Sequence, residues 1–426
     1  MRASADEAVY PSSRRAVITL AILMLAYILS FLDRQILALM VDPIRRDLGI
    51  NDFQISLLQG LAFALFFSVM GIPLGRLSDR LTRTHIIAIG IVWWSIMTAL
   101  CGLAGGFAAL FLFRMGVGLG EAALAPAAYS ILGDSFPPNK LVRATSLFGQ
   151  SATIGAGISL LAGGQLIDAI DRSGLSPFGL ASWQLTFILV GLPGIIVAGL
   201  VLLIREPVRT NRSATPPGSF MTVLRSLWGE RHILAPLYIS GTLLAIINFG
   251  AVAWFPTHLI RHFGLTPGQA GLWLAPIHLA GGLLGAVLGS ALTEWMLHRE
   301  KSQPYLRSIA IVALLMAGTM IAPLLPTLGP ALMIWSLSVV FQGAYAGSVM
   351  AAIQVTVPNE RRGLATALLL LLSNLGALGL GSALIGGVST MMFAGDPAGI
   401  GKGLALVGFL SAACSALIAF RRLAKG

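Results

Sequence analysis

The chain has 426 residues, 56% of them hydrophobic and only 11% charged, with a formal charge of +11. A soluble domain carries about 25% charged residues, so this composition excludes an ordinary soluble enzyme and describes an integral membrane protein with many spans. Nor does the positive charge describe a nucleic-acid binder, because the cations lie in short loops and not on one patch.

The apolar runs are continuous over helical lengths, which predicts helices. An open sheet would leave its backbone unsatisfied in lipid, and a barrel would alternate. Residues 1–15 form a polar tail, and the first span follows at 16–41, too long and too charged for a cleavable signal peptide. Inside it lies Ser30-Phe31-Leu32-Asp33-Arg34-Gln35. A carboxylate or guanidinium at that depth costs about 2.5–3.5 kcal/mol to insert, so each must face a partner or a water-filled cavity. Such residues read first as a functional pathway and second as a static lock between helices.

Helix 2 (54–75) runs into the loop Gly75-Arg76-Leu77-Ser78-Asp79-Arg80-Leu81-Thr82-Arg83. Helix 3 (85–105) carries Trp94-Ser95, and helix 4 (107–132) carries Arg114-Met115-Gly116-Val117-Gly118-Leu119-Gly120-Glu121-Ala122. Spacings of four and three put Arg114, Gly118 and Glu121 on one helical face. Helices 5 and 6 (147–167 and 183–204) complete the first half. A linker at 205–232 contains Thr215-Pro216-Pro217-Gly218-Ser219, and Phe220–Leu227 reads as a short surface amphipathic helix. Six more spans follow at 233–256, 270–292, 308–325, 330–351, 364–391 and 403–420. The expected domains are therefore 1–204, the cytoplasmic linker 205–232, and 233–426.

Twelve spans put both termini on one side. That side holds 21 of the 28 cations and the opposite loops hold 5, so the positive-inside rule makes the termini cytoplasmic. The halves repeat. Pro138-Asn139-Lys140 opens helix 5 and Pro358-Asn359-Glu360 opens helix 11, and the two helices end in Gly163-Gly164 and Gly386-Gly387. Such a repeat predicts an all-α fold of two six-helix bundles about a pseudo-two-fold axis, the frame of a rocking transporter.

The loop Gly75 to Arg83 resembles the signature of the major facilitator superfamily, Gly-x-Leu-x-Asp-Arg-x-x-Arg. Helix 4 is similar to that superfamily's Arg-x-x-x-Gly-x-Gly pattern. Asp33-Arg34, Trp94-Ser95 and Gly120-Glu121-Ala122 together resemble the spinster branch, whose animal members export sphingosine phosphate or lysophospholipids. The resemblance implies that Gly75, Asp79, Arg80 and Arg83 form a conformational latch, and that Asp33, Arg114 and Glu121 serve coupling; Arg34, a charge at the same depth, is expected to join them. The antiporter signature of helix 5 lacks its proline; the nearest match is Gly155-Ala156-Gly157.

The expected function is a secondary active transporter in a bacterial inner membrane, the arginine, alanine and glycine bias pointing to a GC-rich genome. It is expected as a monomer, driven by the proton gradient with no cofactor, and its partners are protons, the bilayer and a lipid-like or amphipathic solute. An organic-anion or drug carrier of the same fold is the alternative. No nucleophile elbow, zinc-ligand run or phosphate loop marks an enzyme or an ATP-driven pump. All four membrane-embedded charges lie in the first half, while the second half offers neutral groups, with Asn248 and Tyr345 as cavity candidates. A central cavity is expected between helices 1, 4, 7 and 10.

Counting rise per residue, Asp33 lies about 12 Å, and Arg114 about 10 Å, from the outer ends of their helices. A pair between their side chains is therefore expected. Glu121 lies about 10 Å deeper than Arg114, a poorer match for either charge of helix 1. Arg34 points about 100° away from Asp33. Two effects compete at Asp33: burial disfavours its charge and a nearby Arg114 favours it. Forming and parting such a pair would tie proton uptake to rocking of the halves.

Overall fold

The computed structural model describes residues 10–78, 80–174, 176–209, 231–299, 303–357 and 359–423. Among these, twelve helices are long and apolar enough to cross a membrane. They are α1 (Ser13–Leu39), α2 (Asp52–Gly71), α3 (Arg83–Cys101), α4 (Phe107–Ser135), α5 (Pro138–Ser173) and α6 (Ser182–Leu202) in the first half. The second half has α7 (Leu234–Phe263), α8 (Pro267–His298), α9 (Pro304–Leu324), α10 (Leu328–Thr356), α11 (Ala365–Met392) and α12 (Gly399–Leu423). We call the end of the bundle that carries the start of α1 and the end of α12 the inner end. Most of the 205–232 linker, including Phe220–Leu227, lies outside the described residues.

Several elements depart from the expected spans. α1 stops at Leu39, and a short amphipathic helix, Val41–Leu48, follows with Val41 and Ile44 buried. Gly49 ends it at φ 63°, a left-handed conformation in which glycine has no Cβ to clash. α4 turns at Ala122–Ala123 between two helical segments, Phe107–Glu121 and Leu124–Ser135. Ser373–Gly379 in α11 is a π-helical stretch.

The repeat extends to how helices start. Asn51 and Gln54 form a capping box at the outer end of α2, and Thr266 and Gln269 form one at the outer end of α8. Each box satisfies amide donors that the first turn would otherwise leave open. These two starts meet the repeated glycine pairs across the halves. A Cβ on Gly164 of α5 would meet the Pro267 carbonyl of α8, and one on Gly386 of α11 would lie 2.8 Å from the Asp52 carbonyl of α2. Further along the same seams, a Cβ on Gly271 would strike the Leu160 carbonyl, and one on Gly60 would lie 2.8 Å from the Gly379 carbonyl and closer still to that of Leu378. With no hydrophobic drive between helices in lipid, such close backbone approach is what holds them together.

These seams converge at the outer end. A side chain at Gly164 would therefore wedge the outer end apart, since overpacking costs about 1–3 kcal/mol. In a background with Cys101→Ser, Cys414→Ser and Thr257→Cys, the probe at 257 sits against Ala38 across the halves. Gly164→Leu should speed its modification by a membrane-permeant thiol reagent about tenfold. Unchanged labelling would show that the glycine seam does not set the closure.

Candidate functional site

The four intramembrane charges gather where α1, α2 and α4 meet. Gly118 makes that meeting possible: a Cβ there would strike the Phe63 carbonyl of α2. On the opposite face of α4, a Cβ on Gly120 would lie 2.8 Å from the Gly90 carbonyl of α3. α4 therefore lies close against both neighbours, with Arg114 and Glu121 directed into the first bundle. Both are 1% exposed.

Arg34 is bound to Glu121. Its Nε donates to Oε2 at 2.7 Å and its Nη2 lies 2.5 Å from the same oxygen. The Arg34 guanidinium also lies 4.8, 4.6 and 4.8 Å from the ring centres of Phe31, Phe63 and Phe67. Each such contact contributes about 0.5–2 kcal/mol, most when water is excluded. Arg114 binds main chain: Nη1 donates to the Asp33 carbonyl at 3.0 Å and Nε to the Leu58 carbonyl at 3.4 Å. The Asp33 carboxylate is 1% exposed, and its Oδ1 has no hydrogen-bond partner among the described residues.

The expected Asp33–Arg114 side-chain pair is thus absent, and the pair judged a poorer match, Arg34–Glu121, is present. The reason is the direction of the side chains. Cα–Cβ bonds tilt toward a helix's N-terminus. α1 runs from the inner to the outer end, so the long Arg34 side chain leans inward and reaches the deeper Glu121. α4 runs the other way, so Arg114 leans outward and finds carbonyls. Depth counted by rise per residue leaves out both the tilt and the side-chain length.

A cavity of about 60 Å³ adjoins these groups. Arg34, Gln35, Phe63 and Arg114 line it from the first half, and Phe249, Val252, Ala253 and Leu378 from the second. Its walls are α1, α2, α4, α7 and α11; of the helices expected around a central cavity, 1, 4 and 7 reach it and 10 does not. Asn248 donates at 3.4 Å to Gln342 of α10. Neither Asn248 nor Tyr345 of α10 lines this cavity. His278 binds the Leu274 carbonyl of its own helix through Nδ1.

At the inner end, Asp79 lies outside the described residues. Gly75 has only ordinary contact with Pro126, and Arg80 is exposed. Arg83, 1% exposed, bonds to Asp134 at 2.5 Å, to Glu206 at 2.8 Å and to the Ser130 hydroxyl at 2.9 Å. It therefore ties α3, α4 and the segment after α6 within one half. Burial alone would push the Glu206 carboxyl up, but hydrogen bonds from Arg83 and Thr84 bring it below its ordinary value. Its contribution is complete above the ordinary glutamate range and is lost as pH falls through that lower folded value.

The outer end is joined across the halves by groups that no sequence motif marked. Arg261 of α7 reaches Asp42 at 2.7 Å and Asp52 at 2.8 Å, and Arg45 lies 3.0 Å from Asp52. Thr257 donates to the Ala38 carbonyl, Gln59 to the Ala253 carbonyl and Ser382 to Gln59. The only signal in the sequence was the pair of aspartates flanking the first outer loop, more than two hundred residues from Arg261.

Comparison with known proteins comes to the same architecture. The sequence profile of the Major Facilitator Superfamily matches residues 23–381. An "MFS-type efflux pump" of Mycolicibacterium smegmatis is 25% identical over 86% of this chain and 82% of its own. A protein named "Probable L-galactonate transporter" of Escherichia coli is 27% identical over 72% of this chain and 69% of its own. The solved structure of a bacterial homologue of the human lysosomal transporter Spinster, inward-facing and unoccupied, superposes with a TM-score of 0.82. It is 26% identical and covers 97% of this chain and 98% of that one.

The Arg34–Glu121 geometry generates a stability test. Arg34→Met leaves a fully buried carboxylate without its partner, which should lower stability by about 3–5 kcal/mol. Adding Glu121→Leu should restore most of the loss, read as the thermal midpoint in detergent. Additive losses in the double variant would show that the pair is not coupled.

Proposed function

The chain belongs to the Major Facilitator Superfamily and is a membrane transporter, and from that premise we propose that it moves an amphipathic, lipid-like solute by proton-coupled alternating access. The observation that carries the coupling is the state of Asp33. Asp33 and Glu121 each keep one buried oxygen with no hydrogen-bond partner among the described residues, but Glu121 has Arg34 on its other oxygen, while Arg114 spends its donors on carbonyls and leaves the Asp33 carboxylate without an ion pair. A buried carboxylate without a cation of its own is the group that best accepts a proton.

The solute reading rests on the two walls of the cavity. The first-half wall presents two guanidinium groups and two glutamines beside Phe31, Phe63 and Ala38, while the second-half wall is wholly apolar, a phenylalanine and three aliphatic residues. A head group suits the first wall and an acyl or ring system the second. At about 60 Å³ the cavity admits only the polar end, so the tail would extend toward the inner end. The contacts joining the halves at the outer end fit an inward-facing state. In it, Asp42, Asp52 and Arg261 form the outer closure, and the loop bearing Asp79 and Arg80 has the latch role on the inner side. The proposed setting is a bacterial inner membrane with both termini cytoplasmic and a single chain as the working unit.

A small organic anion is the second reading, favoured by the L-galactonate transporter among the relatives. Arg34 and Arg114 would be its cations. Against it, the second-half wall of the cavity supplies no cation to complete a clamp.

Reconstitution in liposomes tests both parts. Wild-type protein should concentrate a lysophospholipid under an imposed pH gradient, and galactonate should neither move nor compete. Asp33→Asn should abolish the gradient-driven accumulation, a loss of at least tenfold, and preserve solute exchange. Accumulation that survives Asp33→Asn would move the proton site to Glu121. Uptake of galactonate with no response to any amphiphile would establish the second reading.

A further inference from the structure

A groove of about 680 Å³ lies on the inner part of the first half, between the start of α1 and the end of α6. Arg15 and Arg205 line its inner end, and Ile18, Ile22, Leu200 and Leu203 line the part that runs into the membrane. Both arginines are exposed. No hydrogen bond or ion pair engages either of them among the described residues. Arg15 lies seven residues before Ile22, so the groove extends about 10 Å from its charged end into the apolar layer.

We infer that this groove binds an anionic phospholipid of the inner leaflet, with its phosphate between Arg15 and Arg205 and an acyl chain along the apolar part. Three observations carry this beyond the coating of lipid that any apolar face receives. First, two cations line one groove, Arg15 from the start of α1 and Arg205 from the segment after α6, the arrangement by which basic pockets at the ends of helices take anionic head groups. Second, Arg15 sits in the first turn of α1, where the helix dipole disfavours a cation. Ser12 makes no side-chain cap there, so an anion would satisfy both the dipole and the open amides. Third, the acid in the lining does not cancel the charge. Glu206 is already held by Arg83 at 2.8 Å. A lipid seated there rests against Glu206 and Ser135, beside the Arg83 network that ties α3, α4 and the segment after α6. Occupancy would thus brace the inner end of the first half, whatever solute is carried.

Native mass spectrometry of the full chain in a neutral detergent tests the assignment, using phosphatidylglycerol and phosphatidylcholine with matched chains, and inorganic phosphate as competitor. Wild-type protein should retain one phosphatidylglycerol about tenfold more strongly than phosphatidylcholine. Arg205→Gln should weaken that preference, and Arg15→Gln/Arg205→Gln should bring it near unity. Arg421→Gln/Arg422→Gln, at a remote inner site, should leave it intact. A preference unchanged in the Arg15/Arg205 variant, or lost equally in the remote control, would overturn the site. Displacement of the lipid by millimolar inorganic phosphate would make it a soluble-anion site and overturn the lipid assignment.

Discussion

A charge placed among apolar helices must find a partner, and here that demand is met chiefly by one ion pair, Arg34 with Glu121. Lipid offers neither water nor counter-ions, so an isolated carboxylate at 0% side-chain exposure would oppose insertion and folding together. The pair needs α1 and α4 at a fixed separation and rotation. Gly118 supplies the space by admitting the Phe63 carbonyl, and Phe63 and Phe67 then cover the guanidinium from α2. Arg114 follows from the same packing. With Glu121 taken, its donors turn to the carbonyls of Asp33 and Leu58. Asp33 is what remains, held in place through its carbonyl by Arg114, with its Oδ1 left without a hydrogen-bond partner among the described residues. In the proposed mechanism its partner is a proton, which needs no helix to move.

The halves meet under a different constraint. Within the first half, charges fix the helices; between the halves, glycine pairs and a small set of polar contacts do. Gly164 against Pro267 and Gly386 against Asp52 allow backbones to touch without interdigitated side chains, so the contact can part without repacking a core. The outer ion cluster of Asp42, Arg45, Asp52 and Arg261 lies at the rim with side chains 12–35% exposed, so its ions can take up water when the halves part and need not be left as bare buried charges. Several weak terms that form or break together suit a two-state equilibrium that a proton or a solute can tip. A rigid first bundle with a loose seam is what rocking requires.

Much of this was legible in the sequence, for identifiable reasons. Twelve apolar runs have the length a bilayer demands, and the Gly75–Arg83 loop and the Arg114–Ala122 segment carry charges and glycines at spacings that an ordinary apolar helix or loop does not need. The repeated glycine pairs were visible as a repeat, but their role as contact points between the halves needed the capped starts of α2 and α8 beside them. The charge pairing was misread for one reason. Rise per residue locates a Cα, while an arginine delivers its charge a side chain's length away, along a direction set by helix polarity. The outer cluster was invisible because Arg261 and its aspartates are far apart in sequence and belong to no pattern. The π-helical stretch Ser373–Gly379, with Leu378 in the cavity wall, has no signal that separates it from ordinary α-helix.

The central claim is that, of the two buried carboxylates, Asp33 takes the proton and Glu121 stays ionised on Arg34. Infrared difference spectroscopy of the protein in lipid, stepped from alkaline to acidic pH, reads this directly through the carboxylic-acid carbonyl stretch. The account predicts a buried, protonated-carboxyl band that grows as pH falls, disappears in Asp33→Asn and persists in Glu121→Gln. A band that survives Asp33→Asn and vanishes in Glu121→Gln would contradict it.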